Sequence, residues 1–241
     1  MDEPLPPSSG RGPLLRLEPV GGLGTLLVAL LTIMAMASVV VAAMLLDRAA
    51  VLGDPDATQL GIADAVDRGA RAKRIYELGV LATGVAWITW QVRYVRNVRA
   101  LGRPTGFELG WAIGGWLIPG VNLVIPQKQL AVSAKSSDPS GSPSTPRVLY
   151  AWWAACVATI ALLAMGRLVR PPEHEFARSR FADFAAADRL HSLCMAAAFV
   201  AAVLGILTVI TCTQRQEKLL ARYVDIRGPS ALRQSARSAT P

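Results

Sequence analysis

An uninterrupted apolar run of 24 residues from Leu23 to Leu46, LGTLLVALLTIMAMASVVVAAMLL, constrains this chain more than any other feature. A helix needs about 20 such residues to cross the hydrocarbon core of a bilayer. Three further apolar runs, at about 75–92, 148–165 and 193–213, have the same character, and no segment shows the alternating pattern of a strand. The sequence therefore predicts an all-α integral membrane protein with four transmembrane helices.

The overall composition agrees with that class. Hydrophobic residues make up 52% of the chain and charged residues 17%, as is typical of a small membrane protein with several spans. The net charge of +8 comes from basic residues that flank the apolar runs, where they indicate topology and headgroup contacts and not nucleic-acid binding. Three cysteines, all inside apolar runs and without CxxC spacing, favour packing roles over a disulfide framework or a zinc site.

A fifth apolar stretch, residues 109–126 or LGWAIGGWLIPGVNLVIP, is interrupted by Pro119 and Gly120; we call it the broken segment. Proline removes a backbone donor and clashes with the preceding turn, so a helix should stop here. Irregular backbone at membrane depth requires polar partners. We therefore expect this segment to be packed inside the helix bundle, with Asn122 bridging the freed backbone groups. The segment is predicted to be re-entrant or interfacial, with a fifth crossing as the alternative.

The distribution of basic residues decides between these two topologies. If the broken segment enters and leaves on one face, that face carries 15 lysines and arginines and the other face carries 10. If the segment crosses, the two faces carry 11 and 14. The positive-inside rule favours the first arrangement, with both termini cytoplasmic. In that arrangement the tryptophans cluster in the cytoplasmic half of the plasma membrane, as an interfacial aromatic belt predicts.

The remaining segments complete the domain prediction. Residues 1–22 are rich in proline, glycine and serine and are predicted to form a disordered cytoplasmic tail. Residues 23–223 form the membrane domain, which includes a flexible linker at 136–147. We expect Gly228-Pro229 to end the last helix, leaving residues 224–241 as a basic disordered tail.

Four arginines follow the second span at spacings of three or four residues: Arg93, Arg96, Arg99 and Arg103. On a continuing helix they would form one stripe. Such a stripe suits anionic lipid headgroups, each arginine contributing on the order of 1 kcal/mol. A topology signal without a specific ligand explains the same pattern. A membrane-protein partner or a second copy of the chain is the other expected contact.

Several motifs resemble those of a bacterial membrane family, common in actinobacteria, that is catalogued only as domain of unknown function 4328. The resemblance rests on WITWQVRYVRN, the broken segment and the polar end of the fourth span, with a W-x-x-P-x-x-N-x-x-x-P core formed by Trp116, Pro119, Asn122 and Pro126. It implies a four-helix domain of the cytoplasmic membrane and brings no activity with it.

No catalytic chemistry is predicted. No histidine lies in any predicted span, and no span interior carries two carboxylates, so proton-handling groups are missing there. One acidic and histidine-containing grouping, Glu173-His174-Glu175 with Asp183, Asp188 and His191, lacks metal-ligand spacing. We therefore expect no metal, no cofactor and a non-catalytic protein that binds a partner or anionic lipid. A small-solute transporter or pore built on the broken segment is the alternative.

Overall fold

The computed structural model describes residues 17–138, 145–172 and 176–237, and every regular element in these ranges is helical. The six α-helices are α1 (Gly21–Gly53), α2 (Gln59–Ala100), α3 (Trp111–Leu117), α4 (Ile125–Ser136), α5 (Arg147–Val169) and α6 (Phe181–Arg237). The all-α prediction is confirmed. The chain folds into long antiparallel helices with a short broken pair, α3 and α4, inserted between α2 and α5.

Three of these helices are long and apolar enough to cross a membrane: α1, α5 and the stretch Arg178–Arg222 that contains most of α6. They include three of the four predicted spans. The predicted second span lies in α2, which does not reach the same mean hydropathy because Glu77, Gln91 and two tryptophans dilute its aliphatic residues. A membrane protein is supported, and the crossing of the membrane by the second predicted span stays a prediction.

Helix α1 packs against both α2 and α6, and α5 packs against α6. At one end of the bundle a core cluster joins these helices to α4 through Leu27, Val98, Leu130 and Leu149. Val98 lies near the end of α2, and Leu149 lies near the start of α5. Residues 101–146 therefore leave the bundle and return to it at the same end, which we call the α3/α4 end.

Several buried polar side chains of this core form hydrogen bonds with a neighbouring helix. The indole of Trp90 donates to Thr213 Oγ1 at 3.2 Å, and the Gln216 amide donates to the Tyr94 carbonyl at 2.9 Å. Each bond joins α2 to α6. Bonds between polar groups in apolar surroundings fix the register of two helices, because a slip would leave both groups unpaired.

An ion pair holds the opposite end of the bundle together. Arg48 of α1 donates from Nε to Asp188 Oδ2 of α6 at 2.6 Å, and its Nη2 contacts the second carboxylate oxygen. Asp188 is fully buried, and Arg170 approaches it at 3.5 Å. Beside the pair, Phe184 belongs to an apolar cluster that joins α1, α2 and α6. This end of the molecule was not predicted from the sequence.

Both predicted tails contain ordered residues. Residues 1–16 lie outside the described ranges, but residue 18 already contacts α2, and Val20 is buried immediately before α1. At the other terminus α6 continues past Gly228-Pro229 to Arg237, so the predicted helix end at Gly228 is wrong. An internal proline removes one helical hydrogen bond, and helix-forming residues on both sides can continue the helix beyond it. Only residues 238–241 of that tail lie outside the described ranges.

Candidate functional site: a cavity beside the broken segment

The helix breaks where the sequence predicts. Helix α3 ends at Leu117, and Gly120 adopts a φ of +80°, in the left-handed region that a side chain disfavours. A single 3-10 turn, Val121–Leu123, then leads into α4. Pro126 occupies the first turn of α4, where its missing N–H costs no helical hydrogen bond.

Backbone turns, not the Asn122 side chain, satisfy the groups freed at this break. The amide nitrogen of Asn122 donates to the Ile118 carbonyl at 3.0 Å, and that of Val124 donates to the Val121 carbonyl at 3.0 Å. Within the described residues the side-chain amide of Asn122 makes no hydrogen bond. The expected bridging role of Asn122 is therefore wrong, and its amide remains available to another group.

The broken segment covers the bundle and is not enclosed by it, so the expected interior position is also wrong. Leu117 is 71% exposed and Ile118 is 45% exposed. The buried positions of α3 are the small residues Ala112 and Gly115, and a Cβ at Gly115 would crowd Ile125 and Pro126. This small face of α3 approaches α4 closely, and the larger side chains Trp111, Ile113 and Leu117 point outward.

A buried glutamine on α2 attaches the broken segment to the bundle. The amide nitrogen of Gln91 donates to the Pro126 carbonyl at 3.2 Å, and its Oε1 accepts from the Trp116 indole at 3.2 Å. One side chain thus holds both α3 and the start of α4. The motif positions Trp116 and Pro126 are brought together through a residue outside the motif, whereas Pro119 lies exposed at the break.

Next to this attachment the helices enclose a cavity of about 370 Å³. It lies between α2 and α5, with α1 and α6 behind it, and Asn122 and Leu123 border it. Four of its lining residues are tryptophans, Trp87, Trp116, Trp152 and Trp153, and we call it the tryptophan cavity. None of the residues that line it is charged.

The four tryptophans that line the cavity come from three separate parts of the sequence and contact one another. Trp87 of α2 stacks on Trp152 of α5 with 4.3 Å between ring centroids. Trp116 of α3 meets Trp153 edge to face at 6.3 Å. Five of the six tryptophans are therefore neighbours in the structure, and their placement in the cytoplasmic half of the membrane stays a prediction. The cavity itself was missed, because a sequence shows that tryptophans share a depth but not which helices leave a gap.

The predicted arginine stripe is only partly present. Helix α2 ends at Ala100, and Gly102 with a φ of +69° turns the chain, so Arg103 lies off the helix. Arg103 donates to the Ser136 carbonyl. Arg93 and Arg96 share the carboxylate of Glu18, at 3.3 and 2.6 Å. Arg99 is exposed and has no partner among the described residues. The four arginines, which we call the arginine cluster, thus differ in whether the guanidinium group already has a protein partner.

Among the described members of the acidic and histidine-containing grouping, Asp183, Asp188 and His191 do not converge as one site. Glu173, His174 and Glu175 lie outside the described residues. Asp183 pairs with Arg180 at 2.7 Å, and Asp188 lies against two arginines. Among the described residues no three His, Cys, Asp or Glu side chains converge as metal ligands. The carboxylates that are described here serve as partners of arginines.

Exposed ion pairs also form between α1 and α2 and within α2. Arg68 of α2 donates to Asp47 of α1 at 3.1 Å and also contacts Asp64. The hydrogen bond to Asp47, with the attraction of Asp64, raises the pKa of Arg68 above its ordinary value. Exposed ion pairs of this kind contribute little stability.

Comparison with protein families identifies a matching family model. A family model described as Domain of unknown function (DUF4328) matches residues 53–214. This range covers about two thirds of the chain and includes the broken segment and the tryptophan cavity except for the part contributed by α1. No curated protein and no solved structure matches the chain significantly.

Proposed function

The chain belongs to the family described as Domain of unknown function (DUF4328), and from that premise we propose that it is a non-catalytic membrane protein that binds anionic lipid at its cytoplasmic face. In this proposal four helices cross the plasma membrane, both termini are cytoplasmic, and the broken segment is re-entrant from the same side. The arginine cluster Arg93, Arg96, Arg99 and Arg103 contacts the lipid headgroups.

The topology rests on the return of the chain to one end. Val98 near the end of α2 and Leu149 near the start of α5 share a core cluster, which supports a segment that enters and leaves on one face. The larger share of lysines and arginines belongs to that same face, and the positive-inside rule then assigns it to the cytoplasm. Helix α2 does not reach the mean hydropathy of the other long helices. It packs against α1 and α6, which cross the membrane beside it in this arrangement.

The observation that carries the lipid-binding proposal is the charge of the arginine cluster. Glu18 is the one carboxylate that pairs with Arg93 and Arg96 among the described residues, so this pair keeps a net positive charge. Arg99 adds an unpaired guanidinium one turn further along α2. A guanidinium presents several N–H donors to a phosphate at once, and the surface potential of anionic lipid adds to that attraction.

The test varies the lipid headgroup at constant chain length. Native mass spectrometry of the full-length protein in detergent would compare binding of dioleoyl phosphatidylglycerol and dioleoyl phosphatidylcholine. For Arg99→Gln we expect the preference for phosphatidylglycerol to fall about fivefold, since each arginine near a headgroup contributes roughly 1 kcal/mol. Arg71→Gln, an exposed arginine of α2 toward the opposite end, is the matched control.

Two results would count against headgroup binding. An unchanged preference in Arg99→Gln and in the double variant Arg96→Gln/Arg99→Gln contradicts a role for the arginine cluster. An equal loss in Arg71→Gln contradicts a site at the α3/α4 end, because the effect would then follow net charge alone.

A small-solute transporter or pore is the second candidate, favoured by a cavity that borders a broken helix. The uncharged, tryptophan-rich lining suits apolar solutes and not ions. Uptake of an uncharged dye into proteoliposomes above the rate of protein-free vesicles would support this candidate. Equal rates would reject it.

A further inference from the structure

We propose that the tryptophan cavity binds one acyl chain of a glycerolipid, which enters sideways from the bilayer between α2 and α5. This site is separate from the arginine cluster, and it does not depend on which headgroup the lipid carries. Four observations support it: where the cavity opens, how large it is, what lines it, and which polar group borders it.

The cavity opens between two helices that face the hydrocarbon core in the proposed topology. Val80 of α2 and Ile160 of α5 both line it, and they are 47% and 49% exposed. The two helices touch through the Trp87–Trp152 stack toward the α3/α4 end, and the gap lies on the other side of that stack. Ile160 lies near the middle of the apolar run of α5, so the opening faces lipid tails.

The size of the cavity favours a single hydrocarbon chain as its occupant. The volume of about 370 Å³ lies within the range of small-molecule sites, about 300–1,000 Å³. A helix with side chains has a diameter of about 10–12 Å and is a much wider occupant than one flexible hydrocarbon chain.

The lining is suited to a hydrocarbon chain. Ala198, Ala201 and Ala202 of α6 give a smooth wall of small side chains opposite the aromatic wall. Without an occupant these side chains lose the dispersion contacts that a packed interior provides. Because the lining is uncharged, a phosphate or an inorganic ion gains no compensation there for its lost hydration.

Asn122 distinguishes a glycerolipid from a plain alkane. Its amide borders the cavity and has no hydrogen-bond partner among the described residues. In contrast, the hydroxyls of Thr83 and Thr159 in the same lining donate to carbonyls of their own helices. An unpaired amide in apolar surroundings is unfavourable. The ester carbonyl of a glycerolipid can accept from Asn122 while its chain lies along the alanines.

The first test fills the cavity from within. A Cβ built on Gly84 meets no atom within 4 Å, and Gly84 lines the cavity, so Gly84→Leu places a side chain in that space without a backbone clash. Ala82→Leu adds an apolar side chain to the exposed side of the same helix and serves as the control. The full-length protein in nanodiscs would be photo-cross-linked to phosphatidylcholine that carries a diazirine on one acyl chain, and the labelled residues mapped.

We expect labelling of residues around 80–84 and 156–160 in the unmodified protein and in Ala82→Leu, and its loss in Gly84→Leu. Equal labelling of that region in Gly84→Leu overturns the proposal. Labelling spread evenly over the exposed faces of α1, α5 and α6 overturns it as well. Cross-links from the cavity to a second copy of the chain would do the same, since they identify a protein occupant.

A second test examines the polar contact. Diacyl and dialkyl-ether phosphatidylcholines with equal chains differ in the ester carbonyl that Asn122 would bind. We expect the unmodified protein to prefer the ester lipid about fivefold, the difference that one hydrogen bond makes, and Asn122→Leu to show no preference. A preference that survives in Asn122→Leu overturns the assigned contact. Because the headgroup is constant here, failure of this test is distinguishable from failure at the arginine cluster.

Discussion

Asp188 lies in an environment that its sequence context does not suggest. In the sequence it stands among loop charges, yet in the structure it is fully buried between Arg48 and Arg170. Arg48 precedes it by 140 positions, and a single sequence gives no signal for such a pairing. The same limit applies to Glu18, which was placed in a disordered tail but contacts Arg93 and Arg96. Long-range partners of charged residues could not be predicted here.

At this scale we predict that Asp188→Asn strongly destabilises the protein. The substitution leaves the Arg48 guanidinium buried without a counter-charge, and removing one partner of a buried ion pair costs about 3–5 kcal/mol. Thermal unfolding in detergent would measure the change. Asp183→Asn, which removes an exposed carboxylate five positions earlier in α6, should change the melting temperature little. Equal melting temperatures for the two variants would show that the buried pair does not hold α1 to α6.

The helical elements were largely predictable, because local composition decides them. Three apolar runs are found in helices of spanning length, and Pro119 with Gly120 ends α3 as expected. The position of the broken segment was not predictable, because it depends on a long-range contact. Gln91 lies in α2, outside the motif, and its two hydrogen bonds hold the segment against the bundle. The tryptophan cavity was not predictable for the same reason, because it depends on the distance between α2 and α5.

For the broken segment we predict that Gln91→Leu releases it from α2. The substitution leaves the Trp116 indole N–H and the Pro126 carbonyl without partners, and each lost bond contributes about 0.5–1.5 kcal/mol. Hydrogen–deuterium exchange of residues 111–128 should become roughly tenfold faster, since about 1.4 kcal/mol corresponds to that factor. Gln127→Leu, on α4 and without a side-chain bond in the described structure, is the control. Unchanged exchange in Gln91→Leu would show that other contacts hold the segment.

On the scale of the whole molecule, the two ends of the bundle differ in composition and in architecture. One end combines the buried polar core, the broken segment and the arginine cluster, whereas the other is joined by the Arg48–Asp188 pair and aromatic packing. Membership of the DUF4328 family fits this arrangement, because the matched range extends over the broken segment. If the helices cross a membrane as proposed, the arginine cluster lies at the membrane surface and the tryptophan cavity opens toward the lipid tails, so they are two separate sites for lipid.

The topology on which both lipid proposals depend can be measured by cysteine accessibility. The three native cysteines, Cys156, Cys194 and Cys212, would be replaced, and single cysteines introduced by Asp56→Cys, Glu108→Cys, Lys135→Cys and Ser179→Cys, all at exposed positions. An impermeant thiol reagent applied to intact cells should label Asp56→Cys and Ser179→Cys alone. Labelling of either Glu108→Cys or Lys135→Cys without the other would mean that the broken segment crosses the membrane, and that result would contradict the four-span arrangement.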